Sequence, residues 1–184
     1  MVGNLPSLSS ADADAVRRAV RYLYDLGHRQ IARVGGPESL AHSYIRDSAF
    51  ADVASELGMR YRCLHTDYTP ETGREATKRL LAFSEHPTAI IYDNDVMALA
   101  GLGVAASQGI KVPEEISIMS WDDSLMCTAA YPNLTAMGRD VVDTGKQAAG
   151  LLLKLIGGER VGHLMEGPYE LRARASTGPA PAAE

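Results

Sequence analysis

The chain has 184 residues, enough for one full domain or two small lobes. With 46% hydrophobic and 22% charged residues it has the make-up of a soluble globular protein, and a net charge of −5 argues against direct contact with nucleic acid. Its basic side chains are scattered; the tightest group, Arg17, Arg18 and Arg21, reads as the wet face of a helix. Cys63 and Cys127 are too far apart for a CxxC site, which suits a reducing cytoplasm. No run is apolar enough to cross a bilayer, and residues 1–10 lack the basic start and apolar stretch of a secretion signal.

A helix, a glycine stop and a short apolar strand recur along the chain. Residues 12–26 place Val16, Ala19, Val20, Leu23 and Leu26 at helical spacing, and Gly27 can end that helix. Residues 31–36 (IARVGG) then read as a buried strand. A second helix over 41–57 stops at Gly58, before a strand around 61–65. Thr69 and Pro70 supply the N-cap and first position of a third helix. A strand over 88–92 (TAIIY), a helix over 95–108 and a strand over 116–120 (ISIMS) follow. A short strand over 134–137, a helix over 140–156 and strands near 163–166 and 169–174 close the chain, with a Pro- and Ala-rich tail expected to fray. Alternating apolar strands and helices predict an α/β fold: parallel sheet, helices on both faces, ligands at the strands' carboxyl ends.

Polar clusters follow four strands, at 35–39, 66–68, 93–95 and 121–123. Asp95 suits a helix cap; Asn94 offers both a donor and an acceptor to a ligand hydroxyl, since one side chain suffices for capping. Trp121 with Asp122 and Asp123 reads either as an anchored Trp beside solvated acids or as an aromatic wall next to a carboxylate that grips two hydroxyls. Arg46 is either a surface residue or a fork of donors for hydroxyls or a carboxylate. The five histidines form no metal-ligand spacing, and no nucleophile, phosphate-loop or dinucleotide motif is present. No cofactor, metal or catalytic residue is expected.

Several of these stretches, in order from about residue 12 to 177, resemble the LacI/GalR family of bacterial regulators. The similar stretches are Leu26-Gly27-His28 with Gly35-Gly36-Pro37, Arg46 with Phe50, and Pro87-Thr88-Ala89-Ile90 with Asn94-Asp95 and Met97-Ala98. Val112-Pro113 with Trp121-Asp122-Asp123, Leu134-Thr135, and Arg174 with Ser176-Thr177 complete the series. Ala49, Ser120, Trp121 and Val141 depart from the family's usual residues. The resemblance implies a periplasmic-binding-protein-like architecture: two doubly wound parallel-sheet lobes with a ligand cleft between them, the first lobe incomplete. The expected division is a partial N-terminal lobe over 1–58, a C-terminal lobe over 59–133, a crossover segment and helix over 134–160, closing strands over 161–177 and a flexible tail over 178–184.

The same resemblance implies a sensor that is not an enzyme, binding a small sugar-like effector through Arg46, Tyr68, Asn94, Asp122 and Arg139, with Trp121 beside them. The helix over 95–108 is apolar almost all round, so a partner is expected to cover what the sheet does not, in a cytoplasmic homodimer joined at Met97, Leu99 and Leu102; the resemblance places a subunit contact at Leu99. Operator DNA would be met only through a helix-turn-helix domain missing from this chain, and a membrane not at all. A solute-binding protein of a sugar transport system is the alternative reading.

Overall fold

A computed structural model describes residues 7–182; the first six and last two residues, parts of the expected first lobe and tail, lie outside them. The chain enters through a three-residue strand, β1 (Ser7–Ser9), and the helix α1 (Asp12–Asp25). Strand and helix then alternate through β2 (Gln30–Gly35), α2 (Ala41–Glu56), β3 (Arg60–His65), α3 (Pro70–Leu81), β4 (Ala89–Tyr92) and α4 (Asp95–Ser107). After β5 (Ser117–Trp121) come a short helix α5 (Leu125–Ala129), β6 (Thr135–Gly138), α6 (Val141–Ile156), β7 (His163–Met165) and β8 (Glu170–Arg172).

Local rules account for the boundaries. Gly27 takes φ +96° just past α1, where a side chain would be strained. The Thr69 hydroxyl accepts from the Thr72 amide and Pro70 opens α3, as expected. The polar strand β1 and the short α5, started by the Ser124 side chain, carry too little periodic signal to be found from sequence.

Six strands form one sheet in the order β3-β2-β4-β5-β6-β8; the first five are parallel and β8 runs antiparallel to β6. The connection through α2 places β3 on one side of β2, and that through α3 returns the chain to β4 on the other. The winding therefore reverses between β2 and β4, and a crevice opens beyond their carboxyl ends. One apolar core, with Leu23, Phe50, Met119 and Trp121, lies under α1 and α2; the other, with Leu80, Ile90, Met97 and Ile118, lies under α3 and α4.

This topology corrects the expected lobe boundaries. No lobe ends at residue 58, because β2 and β3 pair along six residues inside the same sheet. Likewise, the expected segments 134–160 and 161–177 each divide: β6 and β8 belong to the large sheet, whereas β7 pairs only with β1. The C-terminal lobe is thus built from both supposed lobes, and only β1, β7 and α6 stand outside it. Sequence reading placed the break at Gly58, between the second helix and the strand that follows it. Pairing is decided by contacts across the chain, which local pattern does not encode.

The tail is a second correction. Just before it, Ser176 O accepts from Ile118 N in β5 at 2.8 Å; within the tail, Gly178 N donates to Ser117 Oγ at 3.1 Å and Ala180 N donates to Leu26 O at 2.8 Å. Fully buried His28 fastens this region: Nδ1 lies 2.8 Å from Thr88 Oγ1, and Nε2 lies 3.1 Å from Ser117 Oγ and 3.2 Å from Gly178 O. Burial, opposed by the Gly178 carbonyl, holds the His28 pKa below the free value of 6.5. The unfolded chain therefore takes up the proton first. Stability from neutral His28 is complete above pH 6.5 and is lost as pH falls toward the lowered folded value. Urea unfolding is expected to show this decline, and His28→Gln to remove that part of the slope; an equally steep slope in the variant would refute the assignment.

Candidate functional site

The crevice at the reversal point is a cavity of about 630 Å³, with β1, β7 and their flanks along its far side. Its floor begins with Asp93, buried just past β4. Arg33 Nε and Nη2 donate to its two oxygens at 3.0 and 2.5 Å, and Arg33 Nη1 pairs with Asp47. An arginine buried in a central strand is tolerable only with such partners. Arg46 rises from α2, its Nε donating to Asp12 Oδ1 at 2.6 Å and its Nη1 3.6 Å from Asp93 Oδ2. Burial alone would raise the Asp12 pKa, but Arg46 and hydrogen bonds from Ser10, Arg46 and Tyr169 outweigh it and hold the carboxyl below its ordinary value.

Among the described residues, two non-glycine residues adopt positive φ, Tyr68 at 69° and Asp122 at 70°, and both line the cavity. Such backbone strain persists only where surrounding structure enforces it, and it gathers at functional sites. The Tyr68 hydroxyl lies 2.7 Å from His42 Nε2, and the two rings stack with centroids 6.2 Å apart. The Tyr68 ring lies against Gly36, where any Cβ would collide with it. The Asp122 carboxyl reaches the solvent of the cleft, yet the protein around it pushes its pKa up. Arg46 and Arg139 oppose that push, while Asp95 and Asp93 add to it.

The Asp122-Asp123 pair divides its work. Asp123 accepts from Arg174 at 2.7 and 2.8 Å and from Arg172 at 2.6 Å, which ties the closing segment to the sheet. Asp122 makes no side-chain hydrogen bond to any described residue, so its acceptors remain open to the cavity.

Five of the six expected contacts therefore meet here: Arg46, Tyr68, Asn94, Asp122 and Arg139 all line the cavity. Asn94 is also the N-cap of α4, its Oδ1 accepting from Met97 N at 2.8 Å and its Nδ2 donating to the Tyr68 carbonyl at 3.1 Å. Capping thus falls to Asn94 rather than to Asp95. Trp121 is a correction. It is 1% exposed, packs against Tyr169 with centroids 5.1 Å apart, and supports Arg46, whose guanidinium carbon lies 4.5 Å from the indole centroid. As the last residue of β5 it turns to the core face, while Asp122, next along the chain, turns to the cleft.

Sequence reading missed Asp12, His42, Glu166 and Tyr169, which also line the cavity, and marked Asp93 only as part of the polar cluster at 93–95. His42 stands four residues before Arg46, one turn along α2, so helical spacing could have found it. Glu166 and Tyr169 come from the far end of the chain, and no local pattern marks them. Arg139 pairs with Glu166 and lies 5.5 Å from the Tyr169 ring centroid. Among the described residues, no group of three His, Cys, Asp or Glu side chains is placed to hold a metal ion.

Residues 20–177 match the family model of the periplasmic binding protein-like domain, which is most of the chain. The chain belongs to that family. It is 34% identical over 179 residues to the HTH-type transcriptional repressor CytR of Escherichia coli strain K12, covering 94% of this chain and 52% of CytR. The crystal structure of a LacI family transcriptional regulator from Bifidobacterium animalis subsp. lactis superposes with a TM-score of 0.93 at 61% identity, covering 96% of this chain and 65% of that one. A LacI family regulator from Arthrobacter sp. FB24, solved in complex with lactose, gives 0.83 at 26% identity, covering 93% and 65%. Homologues of this family member are thus LacI-family transcriptional regulators, and the chain spans about half the length of the curated relative it matches. No described helix is long and apolar enough to cross a membrane.

Proposed function

We propose that this chain is the effector-sensing part of a LacI-type cytoplasmic regulator, and that the cavity binds, without converting it, a small polar metabolite of the sugar or nucleoside class. The observation that carries this reading is Asp122, a carboxylate held at positive φ with no side-chain hydrogen bond to a described residue, in a cavity whose other charged residues are paired and which the Tyr68 ring also lines. An open carboxylate accepts from two adjacent hydroxyls, and an aromatic face covers the apolar side of a sugar or base. Relatives that are repressors favour a regulator over a transport protein, and a regulator bound to lactose supports a polyol ligand. Effector binding would bias the arrangement of two lobes and so respace DNA-binding heads carried elsewhere in the protein. A panel of neutral sugars and nucleosides screened by thermal shift is expected to contain at least one saturable stabiliser whose effect vanishes in Asp122→Ala. A panel without any such compound, or one whose stabiliser is indifferent to Asp122, would reject the reading.

The homodimer is proposed across the face formed by α4 and α5. Met97, an expected contact, is fully buried against α3 and is removed from it. Leu99 and Leu102 are half-buried, Leu125 at the start of α5 is 82% exposed, and Tyr131 just past its end is 95% exposed. Large apolar side chains this open to water favour a covering partner, and a second copy presents the same face. Light scattering at micromolar concentration is expected to give a dimer that Leu125→Asp with Tyr131→Asp dissociates. A monomer in the unaltered protein would exclude it.

A further inference from the structure

We propose that Glu166, together with Asp12, makes the cavity selective against anions, so that the effector is uncharged and not a phosphate ester or carboxylate. This rests on the reading of the cavity as an effector site and adds the charge class that it admits.

Arginine forks are the ordinary receptors for phosphate and carboxylate, and two arginines line this cavity. Both are already engaged. Arg46 gives its Nε to Asp12 and directs Nη1 toward Asp93, while Arg139 gives Nη1 to Glu166. Asp93 is itself saturated by Arg33 from below. The lining therefore holds four carboxylates, those of Asp12, Asp93, Asp122 and Glu166, against the two guanidiniums of Arg46 and Arg139. The one carboxylate without an arginine hydrogen bond, Asp122, faces the space a ligand would fill. An entering anion meets like charge there, and the guanidinium N–H groups still free to it belong to arginines whose charge Asp12, Asp93 and Glu166 already offset, so it gains a full ion pair only by displacing a carboxylate. A neutral polyol needs neither step, because its hydroxyls donate to Asp122 and accept from arginine N–H groups that remain.

Glu166 is the member of this set most easily removed. Asp12 sits in the first turn of α1 and is held by Ser10, Arg46 and Tyr169, so its loss would disturb the packing below. Glu166 follows β7, where its own amide donates to Ser9 O at 2.8 Å and continues the β1–β7 ladder. Its carboxylate is thus placed by the backbone, with Arg139 lying beside Tyr169 to receive it.

The experiment uses inorganic phosphate as the probe, with chloride at matched ionic strength as control, and calorimetry as the readout on wild type, Glu166→Gln and Glu166→Asp. Wild type and Glu166→Asp are expected to show no saturable phosphate binding in the millimolar range. Glu166→Gln is expected to gain it by about tenfold or more, the scale of one charge-assisted pair made available, and to lose it again when Arg139→Gln is added. Ribose and ribose 5-phosphate extend the test to an organic pair, in which Glu166→Gln shifts the affinity ratio toward the ester. Saturable phosphate binding by wild type, or a Glu166→Gln protein as indifferent to phosphate as wild type, would overturn the proposal. Failure of the effector reading shows separately, as a lack of binding by every neutral sugar and nucleoside whatever phosphate does.

Discussion

Asp93→Ala is expected to destabilise the protein by about 3–5 kcal/mol, the cost of breaking a buried ion pair from one side. Asp93 accepts from Arg33 at 3.0 and 2.5 Å and faces Arg46 at 3.6 Å, so its loss leaves two buried guanidiniums in the floor of the cleft each short of a partner, Arg46 with Asp12 alone. Arg33 is 1% exposed in the central strand and has only Asp47 left to pair with. Removing both members together is the informative comparison. Asp93→Leu with Arg33→Met is expected to recover most of the loss, because apolar groups of similar size replace a buried pair at little net cost. Urea denaturation at neutral pH measures each variant. A single Asp93→Ala within about 1 kcal/mol of the original, the range of ordinary surface changes, would mean the two arginines find water instead.

Asp122→Asn is expected to weaken effector binding by about 1.5–3 kcal/mol, or roughly tenfold to more than a hundredfold in Kd. The substitution keeps the shape and removes the charge that strengthens hydrogen bonds from ligand hydroxyls. It is a cleaner probe than Arg46→Ala, which would also free Asp12 and Asp93 and so destabilise the fold. The pH dependence follows from burial, which raises the Asp122 pKa against the pull of Arg46 and Arg139. Under the proposed reading, binding requires the carboxylate. Affinity is therefore full above that raised value and falls as pH drops through it, at milder acidity than an ordinary aspartate would show. Calorimetry across mildly acidic pH should trace this fall, and Asp122→Asn should flatten it. Unchanged affinity in the variant would remove Asp122 from the site.

Several features of the fold and site were determined by the sequence alone, because short-range rules specify them. Helical spacing fixed α1 and its glycine stop, Thr69 and Pro70 fixed the start of α3, and apolar runs fixed β2, β4 and β5 as buried parallel strands. The rule that ligands gather at strand carboxyl ends was enough to single out the clusters that hold Tyr68, Asn94 and Asp122, each just beyond a strand. Tyr68 as a ligand contact and Arg139 came only from likeness to a family, which also decided Arg46 between a surface residue and a fork of donors.

Only the tertiary structure decided what each of these residues faces. Trp121 and Asp122 are neighbours in sequence, yet one enters the core and the other the cleft, because successive side chains in extended chain alternate sides and Asp122 then turns to positive φ. Lobe membership was likewise invisible: β6 and β8 join a sheet begun a hundred residues earlier, while β7, between them in sequence, pairs with β1. The buried charges follow the same logic. Arg33 and Asp93 lie 60 residues apart, and Arg139 and Glu166 lie 27 apart. Whether such a side chain is a free ligand donor or half of an ion pair depends on long-range packing, and a single sequence records each charge without its partner.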